Sequence, residues 1–130
     1  DALKERMNWD HESVSRQEFF SEWTKATHNR DYAPAWGNTS KKTGENIHSL
    51  VKNLAIDIPQ HIVLVSHGGA IVDFLRNVFG DEALAQLKTR YADGEDYQML
   101  NCSINTIVFQ KEPVIELLNC IKHLESASEH

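Results

Sequence analysis

Hydrophobic residues recur at helical spacing in several stretches of the chain. The first stretch carries an apolar face made of Phe19, Phe20, Trp23 and Ala26. It follows a capping box, in which Ser15 at the N-cap position precedes Glu18 by three residues. These features predict a helix over 15–27 whose aromatic side chains face a core. The same spacing predicts further helices over 40–55, 69–79 and 82–88.

A different pattern occupies residues 61–66, where Ile62-Val63-Leu64-Val65 is apolar without interruption. Such a run of mostly β-branched residues is typical of a strand buried on both faces in a parallel α/β sheet. Near the C-terminus, residues 104–110 and 113–119 predict a β-hairpin joined by a two-residue turn at Lys111-Glu112. The order of elements therefore predicts an α/β fold.

The predicted strand over 61–66 poses a physical difficulty, because a strand of this kind needs hydrogen-bonded neighbours on both edges. The hairpin offers the only further strands, so we expect one edge to remain unpaired within this sequence. A missing strand would come from an N-terminal segment or from another chain, and self-association through the exposed edge is expected. The chain also begins at Asp1 without an initiator Met, which we interpret as part of a longer product.

Composition narrows the class of protein. The 130 residues, 41% hydrophobic and 25% charged, suit one soluble globular domain over 1–130. A net charge of −6 argues against a general nucleic-acid-binding surface, and no apolar run is long enough to span a membrane. Cys102 and Cys120 are too few for a disulfide framework, so we expect them to be reduced and buried in a cytoplasmic protein.

Three stretches of the chain show no periodic spacing of apolar residues. Residues 1–12 are expected to lie irregularly across a surface. The turn-rich loop 28–42 around Trp36, and residues 92–98 of the acidic loop 91–98, are expected to shape specificity. In the loop 28–42, Trp36 is placed either to pack on a neighbour or to line the mouth of a site.

The segment Ser66-His67-Gly68-Gly69 carries the candidate chemistry. It lies at the carboxyl end of the predicted strand and opens a helix, which is where ligands bind in open α/β sheets. The glycines allow close approach of the backbone, and the free N–H groups of a first helical turn suit an oxyanion or phosphate. The alternative is that the histidine is satisfied by backbone groups and the glycines only form a turn.

The sequence resembles the histidine phosphatase superfamily, whose members have the phosphoglycerate mutase-like fold. Ile62 to Ile71 is similar to that family's second-histidine motif, and Leu3-Lys4-Glu5-Arg6-Met7-Asn8-Trp9 resembles its acidic motif. Gly37-Asn38-Thr39-Ser40 and Asn101-Cys102-Ser103-Ile104 follow in the family's order, so the resemblance runs from about residue 3 to 119. It implies a three-layer sandwich with a mostly parallel sheet and helices on both faces, incomplete at its N-terminal side.

The resemblance also implies a mechanism and site residues. In this family a histidine in an Arg-His-Gly motif attacks a phosphate ester and forms a phosphohistidine. His67 would be the second histidine, which stabilises the phosphoryl oxygens, and Glu5 would protonate the leaving group and later activate water. Gly68 and Gly69 would lie against the substrate, a small phosphorylated molecule, with Arg6 and Ser66 as further binding residues.

Two departures from the family pattern affect the expected activity. The chain has no Arg-His-Gly, and Asn46 stands where similar sequences usually carry an arginine. Because the nucleophile is absent, we expect these 130 residues alone not to hydrolyse phosphate esters. The resemblance favours a metal-independent phosphatase without a cofactor, and a mutase less so because the insert is short.

Two other classes of protein share parts of this pattern. An α/β-hydrolase also carries His-Gly-Gly after a strand, but it needs a Gly-x-Ser-x-Gly elbow that this chain lacks. A catalytically silent anion-binding or interaction module of the same fold is the alternative that remains open.

Overall fold

A computed structural model of the chain describes residues 1–55, 61–88 and 99–125. Four helices precede a two-stranded sheet, and a short helix follows it. In chain order the elements are α1 (Arg16–His28), α2 (Ser40–Leu54), α3 (Gly68–Phe79), α4 (Asp81–Lys88), β1 (Ile104–Val108), β2 (Val114–Cys120) and α5 (Lys122–Glu125). The predicted helices are confirmed with small shifts of their ends, and α5 was not predicted.

Local capping groups explain where the helices begin and end. The predicted capping box of α1 is present, because the Ser15 side chain accepts from Glu18 N–H and the Glu18 carboxylate accepts from Ser15 N–H. Thr39 caps α2 by accepting from the main chain of Lys42. Helix α3 ends at Gly80, whose φ of +81° is a conformation that side-chain-bearing residues rarely adopt.

The core lies where α3 packs against α2, α4 and the hairpin. Its buried side chains are Ile47, Val51, Ala70, Phe74, Leu75, Leu84 and Leu118. Gly44 brings α2 close to α3, since a Cβ at that position would lie 2.3 Å from the carbonyl oxygen of Asp73. The close contact between α2 and α3 therefore requires a residue without a side chain at position 44.

Strands β1 and β2 form the predicted antiparallel hairpin, but the turn differs from the prediction. Val108 pairs with Val114, so five residues connect the strands instead of Lys111-Glu112 alone. Pro113 cannot donate a main-chain hydrogen bond, and Lys-Glu does not favour the positive φ angles of a two-residue turn. The connection between β1 and β2 is therefore longer than two residues.

The prediction of a strand over residues 61–66 is wrong. Residues 61–67 form neither helix nor strand, and no neighbour in the described part of the chain pairs with them. Val63 and Val65 are 88% and 84% exposed. Apolar, β-branched composition favours a strand only when a second strand is available to supply the ladder hydrogen bonds. The β1–β2 pair is thus the sheet that the described residues contain.

The structure confirms the prediction for residues 1–12 and contradicts the one for the cysteines. Residues 1–12 are irregular, as predicted, whereas the acidic loop 91–98 lies outside the described residues. The two cysteines form no disulfide, but Cys102 is exposed and Cys120 half-buried, so the expectation of burial is wrong. Within the described ranges, no helix combines the length and the hydropathy that a membrane crossing requires.

Candidate functional site

The segment that leads into α3 holds the N-terminal residues against the start of that helix. The Ser66 hydroxyl donates a hydrogen bond to the carbonyl oxygen of Leu3 at 2.7 Å. This contact joins residues that are 63 positions apart and places Glu5 beside the first turn of α3. The Ser66 hydroxyl thus fixes the main chain of residues 3–9, the acidic segment.

The Glu5 carboxylate lies at the N-terminus of α3. Its Oε2 accepts a hydrogen bond from the main-chain N–H of Gly69 at 3.1 Å, and its Oε1 accepts one from the N–H of Arg6 at 3.0 Å. A carboxylate is stabilised at this position because the first-turn N–H groups lack partners in the helix and the helix dipole is positive there.

His67 occupies the N-cap position of the same helix. Its imidazole is exposed and makes no capping hydrogen bond with the helix. Gly68, the next residue, is also exposed. His67 and Glu5 therefore both lie at the N-terminal end of α3, with the imidazole accessible to solvent.

Gly69 is enclosed by two side chains of this site. A Cβ there would lie 2.6 Å from Glu5 Oε1 and 2.6 Å from Cη2 of Trp23. At Gly68 the nearest atom to such a Cβ would be the Met99 side chain at 3.4 Å, which is close to ordinary contact. The second glycine of the motif is therefore required by packing, whereas the first leaves room.

The Arg6 guanidinium points into the protein interior. Arg6 is only 3% exposed, and its Nη1 lies 3.1 Å from Oδ1 of the fully buried Asp73. The guanidinium also donates to the Thr27 hydroxyl and lies 4.0 Å from the centre of the Trp23 ring. Arg6 is also among the residues that line the cavity described below, and its contact with a substrate stays a prediction.

Asp73 is the centre of a buried polar network on α3. Its carboxylate accepts from the Ser40 hydroxyl at 2.6 Å as well as from Arg6, and Arg30 donates to its carbonyl oxygen at 3.1 Å. Burial raises the pKa of Asp73 to about 6, against the lowering effects of Arg6 and Ser40. Burial likewise lowers the pKa of Arg6, so desolvation of the charged forms dominates at both partners.

An open cavity of about 700 Å³ adjoins the acidic segment. Glu5 and Trp36 line it together with amide and hydroxyl side chains, which include Asn8, Asn38, Asn46 and Ser49. His67 is outside this lining, so the cavity extends from the Glu5 side of the site. Trp36 thus lines a site mouth, one of the two positions considered for it.

Comparison with protein-family models matches residues 1–121 to the histidine phosphatase superfamily, branch 1. The chain belongs to this superfamily. Searches of the curated proteins and of the solved structures gave no match. The family resemblance seen in the sequence is therefore confirmed. Superfamily members generally are phosphatases or mutases with an α/β fold, and membership supports a phosphatase-like function for this chain.

In this histidine phosphatase chain, Glu5, Ser66, His67 and Gly69 lie at the N-terminal end of α3. The Arg6 guanidinium instead contacts Asp73. Trp23 and Asp73 were missed as members of the site's surroundings. An aspartate within the apolar run Ile71-Val72-Asp73-Phe74-Leu75 was the available signal, because a buried carboxylate needs a partner. No group of three histidine, cysteine, aspartate or glutamate side chains in the described ranges is placed to share a metal ion.

Proposed function

We propose that this chain supplies part of the active site of a metal-independent phosphomonoester hydrolase that acts through a phosphohistidine. The nucleophilic histidine would come from an Arg-His-Gly segment, which these 130 residues lack. The proposed fold is the family's three-layer sandwich with a mostly parallel sheet, in which residues 61–66 would pair as a strand. The observation that carries the proposal is the placement of Glu5 and His67 at one helix N-terminus.

Each residue at this end of α3 has a proposed role. The exposed His67 imidazole, with the Gly68 main chain beside it, stabilises negative charge on the phosphoryl oxygens during transfer. Glu5 protonates the leaving oxygen when the ester bond breaks, and it then accepts a proton from the water that attacks the phosphohistidine. Ser66 and Arg6 hold the acidic segment in place through the contacts described above.

The cavity beside Glu5 is the proposed place for the leaving group. Its amide and hydroxyl side chains can donate and accept hydrogen bonds, and Trp36 offers an apolar surface. The proposed substrate is therefore a small phosphorylated molecule. Transfer of the phosphoryl group to water is favoured over retransfer to the product, because the cavity is open to solvent.

The experiment is an assay of p-nitrophenyl phosphate hydrolysis by two proteins. One is the 130-residue chain, and the other is the same chain extended at its N-terminus by a segment that carries Arg-His-Gly. We expect turnover only by the extended protein, together with a phosphohistidine that can be trapped by rapid quenching in alkaline denaturant, in which the P–N bond is stable. Comparable turnover by the shorter chain would contradict the proposal.

A catalytically silent anion-binding module of the same fold is the second candidate. The presence of Asn46 favours it, since similar sequences usually carry an arginine there and the amide lacks the positive charge that would hold a phosphoryl group. The two candidates separate in the extended protein: the module would bind inorganic phosphate without hydrolysing the ester, whereas the enzyme would do both.

A further inference from the structure

Two consecutive residues of the acidic segment contact helix α3 one turn apart. Glu5 accepts from Gly69 N–H at 3.1 Å, and Arg6 donates to the Asp73 carboxylate at 3.1 Å. Gly69 and Asp73 are four residues apart and so lie on the same face of the helix. The segment is therefore attached to α3 at two adjacent points, one of which belongs to the proposed active site.

Several contacts outside its own segment hold Arg6, although its Nε is buried without a hydrogen-bond partner. Asp73 and Thr27 accept from the guanidinium, and the indole of Trp23 lies against it at 4.0 Å. Its carbonyl oxygen accepts from Asn38 N–H at 2.8 Å. A side chain that is 3% exposed and paired with a fully buried carboxylate has little freedom to move.

The main chain of Arg6 transmits this restraint to Glu5. The main-chain N–H of Arg6 donates to Glu5 Oε1 at 3.0 Å. The Asp73 carboxylate, which fixes the Arg6 side chain, therefore also holds this hydrogen bond to the Glu5 carboxylate in place. Asp73 is itself fixed by Ser40 at 2.6 Å. The chain of contacts therefore runs from α2 through Asp73 and Arg6 to Glu5.

We propose that Asp73 is a positioning residue for the Glu5 carboxylate and acts through Arg6. The inference rests on the proposed function for its consequence, because orientation matters at Glu5 if that carboxyl transfers a proton to the leaving oxygen. The geometric part concerns the free protein alone. Loss of the Asp73 carboxylate releases Arg6, and the Glu5 carboxylate then leaves Gly69 N–H.

The test is the amide signal of Gly69 in the ¹H–¹⁵N spectrum of the free 130-residue chain. Glu5→Gln supplies the reference position for an amide without a carboxylate acceptor. We expect Asp73→Ala to move the Gly69 signal most of the way towards that reference, and Asp73→Asn to move it in the same direction by less. The Asn variant keeps an oxygen that can accept from Arg6 and Ser40.

Asp81→Asn is the matched control. Asp81 forms an ion pair with Arg76 towards the opposite end of α3, at 2.7 Å, and its loss perturbs the helix without touching the acidic segment. A merely structural role for Asp73 would move the Gly69 signal no more than this control does. A Gly69 signal that stays in place in a folded Asp73→Ala variant would overturn the proposal.

Asp73→Asn decides the matter if Asp73→Ala does not fold. An unchanged Gly69 signal in the Asn variant then overturns the proposal, and a shift towards the Glu5→Gln position supports it. Because no phosphate and no turnover enter this measurement, a negative result here leaves the proposed function standing. Conversely, an inactive extended protein would leave the positioning result intact.

Discussion

Two adjacent glycines begin helix α3, and they have different surroundings. The space where a Cβ would stand at Gly69 is filled by Glu5 and Trp23, whereas at Gly68 the nearest side chain is 3.4 Å away. Sequence alone gives both glycines the same interpretation, namely close approach of the backbone to a ligand. In the structure, packing requires a glycine at Gly69, whereas Gly68 is exposed to solvent.

This difference predicts unequal effects of the same substitution. We expect Gly69→Ala to lower the free energy of unfolding by about 1–3 kcal/mol, since the new methyl group must displace the indole or the carboxylate. Gly68→Ala should change it by less than about 0.5 kcal/mol, as a surface substitution does. Urea unfolding of both variants measures this, and equal destabilisation would contradict the packing argument.

The buried Asp73 predicts a dependence of stability on pH. Its pKa rises from 3.8 to about 6 on folding, while Arg6, Arg30, Arg76 and Glu5 surround it. A raised pKa means that the folded state binds the proton more tightly. Its contribution to stability is therefore complete below pH 3.8 and is lost as the pH rises through about 6.

Asp73→Asn removes this contribution and leaves the other titrating groups in place. We expect the stability advantage of the unsubstituted chain over this variant to shrink from about pH 4 to about pH 7. Urea unfolding at a series of pH values gives the difference directly. A difference that is constant or grows over that range would show that the carboxyl is not held protonated by burial.

Helices were predictable from the sequence because their signals are local. The spacing of apolar residues and the Ser15–Glu18 capping box placed α1 and α3 to within one residue at each end. The strand over 61–66 failed because ladder hydrogen bonds depend on a partner that no local pattern reveals. The Arg6–Asp73 pair, separated by 67 residues, was not predicted for the same reason. Glu5 and His67 were proposed only through the family resemblance.

The contact between α2 and α3 predicts that helix propensity gives the wrong sign at one position. Alanine is favoured over glycine by about 1 kcal/mol in an exposed helix. At Gly44, however, the methyl carbon would lie 2.3 Å from the Asp73 carbonyl oxygen. We expect Gly44→Ala to destabilise the protein by about 1–3 kcal/mol, because the two helices must separate.

Ser49→Ala is the control for this prediction, because Ser49 is an exposed residue of the same helix. Thermal or urea unfolding should show little change for the control and clear destabilisation for Gly44→Ala. A Gly44→Ala variant at least as stable as the original chain would show that the helices tolerate the methyl group.

At the scale of the whole molecule, the segment 61–66, of which residues 61–65 are exposed, predicts self-association. Val63 and Val65 expose 88% and 84% of their surface, and no strand among the described residues pairs with their main chain. Main-chain groups without a neighbouring strand, beside apolar side chains, are a template for pairing with a second copy. We expect sedimentation to show a mass that rises with concentration. The double variant Val63→Lys, Val65→Lys should lower it, since like charges oppose pairing.

Phe20→Lys serves as the control for association, because Phe20 is an exposed apolar residue on α1, outside this segment. It should leave the association unchanged. A monomer at every concentration, or equal loss of association in both variants, would count against pairing through residues 61–66.

The proposed action of His67 and Glu5 on a phosphate ester is tested most directly by kcat for p-nitrophenyl phosphate in the extended protein that carries Arg-His-Gly. His67→Ala should lower kcat by about 10²–10³-fold, as loss of one donor to a developing oxyanion does. His48→Ala is the matched control: this half-buried histidine bonds Asn77 at 3.0 Å, away from the α3 N-terminus. Unchanged kcat in a folded His67→Ala variant would contradict the assignment.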